Sequence, residues 1–134
     1  TLSPVPGLRN WIKNKNPKFE MILEKFKKSE QFLKVEPSLM NCAGNYFLNS
    51  DRSDGMPNDP VARFHLGNGA SLEQINYLGD TSLNGLNLSG GLMVNYLYDL
   101  DKVEENHEAY TSENKLNISK NAKKDLIQHI EEDE

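Results

Sequence analysis

Residues 59–77 read DPVARFHLGNGASLEQINY and hold a helix, its stop and a strand. Asp59 is a capping residue, and Pro60 suits the first helical position, where no N–H is needed. Val61 to Leu66 follows as a short helix. Gly67-Asn68-Gly69 ends it with left-handed capping chemistry. From Ser71 to Tyr77, Leu72, Gln74 and Asn76 alternate with Glu73, Ile75 and Tyr77, the two-residue period of a strand. A helix that hands over directly to a strand makes the chain mixed, α/β or α+β, rather than all-helical.

Downstream, Gly79 to Gly90 is rich in Ser, Asn and Gly and reads as a loop. Leu92 to Tyr98 is nearly uninterrupted in apolar character and reads as a second strand, buried on both faces. Asp99 to Asn114 is acidic and polar. In residues 118–130, Ala122, Leu126 and Ile130 lie four apart, as on a terminal helix. Upstream, Asn49 to Asn58 is loop. Three helical stretches precede it: Leu8 to Lys15, residues 17–28 after Asn16-Pro17, and Leu39 to Phe47. Thr1 to Gly7 is extended or turning, because Pro4, Pro6 and Gly7 forbid a helix and Pro4 biases Ser3 to extended geometry. Two strands are too few for an independent sheet. Together with a first residue that is Thr and not Met, this makes the expectation the tail of a mixed α/β domain.

Composition narrows the classes. At 134 residues the chain is one domain's worth or part of a larger one. Its one cysteine, Cys42, excludes an internal disulfide framework. Three His and one Cys argue against a closed four-ligand zinc site. No apolar run approaches the ~20 residues of a membrane span, and the first residues do not read as a signal peptide. The expected setting is therefore cytoplasmic. Net charge is −5, with 10 basic and 7 acidic residues in 1–67 against 5 and 13 in 68–134. That modest basic excess is no nucleic-acid footprint, yet it suits a phosphate-bearing small molecule.

Three places carry chemistry-bearing residues, each with an ordinary reading beside the functional one. His65, on the last turn of its helix, either complements the helix dipole or stands as a titratable imidazole at a cleft mouth. Ser3, before a rigid proline turn, is either a turn residue or a hydroxyl held still for chemistry, with His65 as its natural partner base. Tyr96 and Tyr98 share one strand face, with Asn95 and Leu97 on the other. A phenol there either finds a buried partner or donates to a developing oxyanion. His107 and His129 read as solvated residues, Cys42 as a small buried hydrophobe, and Lys25, Lys27 and Lys28 as a solvated face.

Four blocks together resemble the malonyl-CoA decarboxylases. Leu2-Ser3-Pro4-Val5-Pro6-Gly7 is similar to the family's SPIPGF-type motif. The second block is Asn58-Asp59-Pro60-Val61-Ala62-Arg63-Phe64-His65-Leu66-Gly67-Asn68-Gly69-Ala70. The third is Ile75-Asn76-Tyr77-Leu78-Gly79-Asp80-Thr81-Ser82. The fourth is Ser89-Gly90-Gly91-Leu92-Met93-Val94-Asn95-Tyr96-Leu97-Tyr98. The resemblance is close over 1–7 and about 58–110. Residues 8–57 are family-like only in position and helical character.

The resemblance implies a GCN5-related N-acetyltransferase-like domain, of which this chain is the second half. In that reading 8–57 is a helical insertion, 58–110 a helix–strand–strand core, and 115–134 a terminal helix. The first half of the sheet and half of the CoA site would lie outside the chain. The implied reaction converts malonyl-CoA to acetyl-CoA and CO2 with no metal or organic cofactor. Ser3 and His65 are the implied catalytic pair, Tyr98 an active-site phenol, and Asn68 and Asn95 polar residues lining the substrate. The implied protein is a homo-oligomer when full length, binding neither nucleic acid nor membrane. The ending Glu131-Glu132-Asp133-Glu134, which is not Ser-Lys-Leu, favours a bacterial-type cytoplasmic enzyme. Two other classes remain: a non-catalytic module that completes its sheet with another chain, and an acyl-CoA acyltransferase, which would not require the Ser3–His65 pair.

Overall fold

The computed structural model describes the backbone of residues 1–132 and the side chains of residues 1–127. Strand β1 (Leu2–Pro4) leads into helices α1 (Leu8–Lys15), α2 (Pro17–Glu24), α3 (Ser29–Leu33) and α4 (Glu36–Leu48). There follow α5 (Pro60–Gly67), β2 (Ser71–Asn76), α6 (Leu83–Ser89), β3 (Met93–Leu97), α7 (Val103–Glu113) and α8 (Lys120–Glu132). The mixed α/β class holds.

The sheet has three strands and not two, in the order β1-β3-β2, both pairings antiparallel. The third strand is the proline-flanked start of the chain, where Ser3 pairs with Val94. Pro4 has no N–H to give a ladder, so it sits on an edge strand that stays short. On the far edge, Leu72 N–H donates to the Asn117 carbonyl (2.7 Å), and Ser119 N–H donates to that of Leu72 (2.8 Å).

Simple alternation fails on β2. The register shifts between Leu72 and Gln74, so Leu72 and Ile75, three residues apart, are both buried. The extra residue is a bulge that re-aims the strand. β3 is not buried on both faces either. Val94 and Tyr96 face the core, Met93 and Asn95 are half-buried, and Leu97 is 48% exposed. Its apolar run reflects hydrophobic residues on an open face.

The stretch read as a loop, Gly79 to Gly90, and the acidic stretch Asp99 to Asn114, given no conformation, each hold a helix. Residues 83–89 form α6 because the Ser82 side chain caps the Gly85 N–H (3.0 Å) and Gly90 ends the turn at φ 63°. Leu86 and Ser89 turn inward. Residues 103–113 form α7, which buries no residue and so leaves no apolar stripe to read. α3 has five residues and one buried side chain, Phe32. In the other helices the buried apolar side chains include Leu8 and Ile12, Phe19 and Leu23, Leu39, Ala43 and Phe47, and Ala122 and Leu126, whereas Ile22, at helical spacing from Phe19, is 48% exposed. α8 packs on α4 and β2. The side chains of His129 and Ile130 lie outside the described residues.

Candidate active site

His65 projects from the last turn of α5, a helix built from both ends. At its start the Asp59 carboxylate accepts the Ala62 N–H at 2.8 Å, and Pro60 occupies the first position. At its end the Ala70 N–H reaches the His65 carbonyl at 3.0 Å. Gly69 turns at φ 92°, where an added Cβ would lie 2.3 Å from the Val103 carbonyl oxygen. Only glycine makes that turn without strain.

β1 and β3 bring the partners. The Ser3 hydroxyl lies 3.2 Å from His65 Nε2, and the Tyr98 hydroxyl 2.5 Å from His65 Nδ1. Ser3 and His65 are buried and Tyr98 is half-buried. The imidazole therefore sits between two hydroxyls, one on each nitrogen. Tyr96, on the same face of β3, stacks on the imidazole with ring centres 4.5 Å apart and planes 23° from parallel. Phe64 stands edge-on to His65 at 5.2 Å, 64% exposed.

Burial sets the protonation states. It lowers the pKa of His65 below its ordinary value, because an imidazolium is poorly solvated there. It raises the pKa of Tyr98. At neutral pH the site thus holds a neutral imidazole and a neutral phenol. Tyr96 is driven further in the same direction, first by burial and then by Asp59 and Tyr46. Its hydroxyl has no partner among the described residues.

The other expected site residues lie elsewhere. Asn68 is the exposed C-cap of α5, with its backbone N–H on the carbonyls of Phe64 and His65. Asn95 is on the opposite face of β3 from Val94 and Tyr96. Its side-chain oxygen accepts from Asn76 at 2.5 Å, so it does not reach the histidine from the side of Ser3. His107 is exposed, with Nδ1 2.6 Å from the Gly67 carbonyl. Cys42 is buried, and Lys25, Lys27 and Lys28 are exposed.

A buried support was not recognised in the sequence. Asp59 is wholly inaccessible, and its second oxygen accepts the Tyr46 hydroxyl at 3.1 Å. Burial raises the pKa of Asp59 and of Tyr46. Asp59 was legible as a cap; Tyr46, 13 residues away on α4, carried no local signal.

The fold is a mixed α/β domain in which a serine, a histidine and a tyrosine lie in series at hydrogen-bond distance. The chain belongs to the malonyl-CoA decarboxylase family: the family model for the malonyl-CoA decarboxylase C-terminal domain matches residues 1–134. It is similar to the mitochondrial malonyl-CoA decarboxylase of Anser anser anser, 44% identical over 85 residues, 62% of this chain and 16% of that protein. The Rattus norvegicus protein of the same name is 40% identical over 83 residues, again 62% and 16%. The crystal structure of malonyl-CoA decarboxylase from Rhodopseudomonas palustris superposes with TM-score 0.78 at 41% identity, covering 93% of this chain and 32% of that one. That from Agrobacterium vitis gives 0.77 at 41% identity, covering 94% and 34%. The chain thus spans about a sixth of the curated relatives and a third of the solved ones. No helix among the described residues is long and apolar enough to cross a membrane.

Proposed function

We propose that this chain supplies the proton-transfer residues of a malonyl-CoA decarboxylase, which converts malonyl-CoA to acetyl-CoA and CO2. The observation that carries the reading is the series Ser3–His65–Tyr98, with contacts of 3.2 and 2.5 Å.

The chemistry needs no external electron sink. When the bond between the methylene carbon and the carboxylate breaks, its electron pair moves into the thioester carbonyl. CO2 leaves and an enolate remains. The protein must stabilise that enolate and protonate its carbon. In the tautomer that fits this task, the Tyr98 O–H donates to Nδ1 and Nε2–H donates to the Ser3 oxygen. The Ser3 O–H is then free to point at substrate. It gives its proton to the carbon and takes one from Nε2. Tyr98 passes its own proton to Nδ1 and is reprotonated from water; release of the Nδ1 proton to solvent and uptake of one at Nε2 then restore the starting tautomer. The neutral imidazole favoured by burial is the form that makes this relay possible. Ser3 also orients the malonyl group before the bond breaks.

The three-stranded sheet is read as part of a GCN5-related N-acetyltransferase-like domain with residues 8–57 as a helical insertion. Most of the CoA moiety is assigned to parts of the longer family chain, and the full-length protein to a homo-oligomer. A cytoplasmic setting rests on the single cysteine and the lack of an apolar span; the animal relatives carry "mitochondrial" in their names.

The test is acetyl-CoA and CO2 release from malonyl-CoA by the full-length natural protein. Stoichiometric release of both supports the reading. A folded protein that binds malonyl-CoA and releases neither overturns it.

A further inference from the structure

We propose that Tyr46 is a positioning residue that sets the spacing of Ser3 and His65, because one hydroxyl braces both of their supports. The inference rests on the proton-transfer reading of that pair.

Two contacts meet at the Tyr46 hydroxyl. It donates to Asp59 at 3.1 Å, and Asp59 caps the helix that carries His65. It also fills the space beside Gly7: a Cβ built there would lie 2.4 Å from the hydroxyl oxygen, but 3.6 Å from the ring carbon that bears it. Gly7 closes the segment that carries Ser3. It has ordinary right-handed backbone angles, φ −90° and ψ −4°, so no conformational demand requires glycine. The requirement is room for the hydroxyl.

The link from Gly7 back to Ser3 is stiff. Pro4 and Pro6 lock two of the intervening φ angles. Val5 between them is wholly buried, and its N–H lies on the Ser89 hydroxyl at 3.3 Å. A push at Gly7 therefore moves the Ser3 segment as a body. On the other side, the ring of Tyr46 is fixed by Trp11 and Phe47, at 5.6 and 5.7 Å. The side chain is 3% exposed and cannot swing out to relieve a clash.

The geometry makes an unusual demand on mutants. Gly7→Ala collides with the hydroxyl alone, so Tyr46→Phe, which removes it, relieves the collision. The experiment compares wild type, Gly7→Ala, Tyr46→Phe and the double variant of the full-length protein. It reads kcat and KM for malonyl-CoA, the thermal midpoint, and the ¹⁵N resonance of His65 Nε2. Gly7→Ala is expected to lower kcat about tenfold or more with KM changed less than threefold, and to shift the Nε2 resonance. In the Tyr46→Phe background the same substitution is expected to cost less than twofold in kcat and to leave the resonance in place.

An equal loss in both backgrounds overturns the proposal. So does a lowered thermal midpoint in Gly7→Ala with kcat and the Nε2 resonance unchanged, which is the mark of a merely structural contact. A wild type that does not decarboxylate malonyl-CoA sinks the reaction reading instead. The resonance, which reports the Ser3 contact whatever the reaction, still decides whether Tyr46 positions the pair.

Discussion

Ser3 and His65 meet at 3.2 Å across 62 residues of chain, one on an edge strand and the other at the end of a short helix. Neither element holds its residue alone. β1 is fixed by pairing with β3, and α5 by its two caps. Tyr96 links them: its backbone N–H binds the Thr1 carbonyl at 2.8 Å, and its ring stacks on His65.

The pH dependence follows from the lowered pKa of His65. The relay begins from the neutral imidazole, so activity is present above the folded-state pKa and lost as pH falls through it. kcat/KM is expected to stay level down to about 6.5, the ordinary histidine value, and to fall below it. A decline beginning above pH 7 would contradict the burial argument. The same sign applies to stability: the folded state resists protonation of His65, so this contribution weakens as pH drops below about 6.5.

Tyr98→Phe removes the hydroxyl on Nδ1 and leaves the half-buried ring. We expect kcat to fall about 100-fold, the lower end of a proton-transfer contribution, with a small change in thermal midpoint. Unchanged kcat would remove Tyr98 from the relay.

Asp59→Ala removes a helix cap and orphans the buried Tyr46 hydroxyl. A lost cap costs about 1 kcal/mol and an unsatisfied buried donor about 1–3 kcal/mol. A loss of about 2–4 kcal/mol in denaturant unfolding is expected. Less than about 0.5 kcal/mol would mean that the cluster does not support α5.

Gly69→Ala places a methyl group 2.3 Å from a backbone oxygen at φ 92°. Non-glycine strain of this kind costs about 1–3 kcal/mol, and the collision adds to it. The substitution should destabilise the protein by at least that much, measured by the same unfolding transition.

Legibility in the sequence followed local chemistry. The cap at Asp59, the stop at Gly69 and the amphipathic helices were readable because each is decided within about four residues. So was the shared face of Tyr96 and Tyr98, a matter of period two. The strand at Ser3 was only half legible: Pro4 implied extended backbone, but pairing with β3 is a contact across the whole chain. α7 escaped because it buries nothing, and the β2 bulge because a shifted register leaves the composition unchanged. The site divided in the same way. Ser3, His65 and Tyr98 stand out by their residue chemistry, take their roles from the family resemblance, and lie together. Asn95 lies on the far sheet face, and the Tyr46–Asp59 brace had no signature at all.

The most direct test of the Ser3–His65 pair is a double-mutant cycle on malonyl-CoA decarboxylation by the full-length protein, with Ser3→Ala, His65→Ala and the double variant. Residues that act as one unit are not additive. The account predicts that each single substitution lowers kcat by about 10²–10⁴, and that the double variant is no worse than the poorer single one. Independent, multiplying losses, or full activity in either folded single variant, would contradict it.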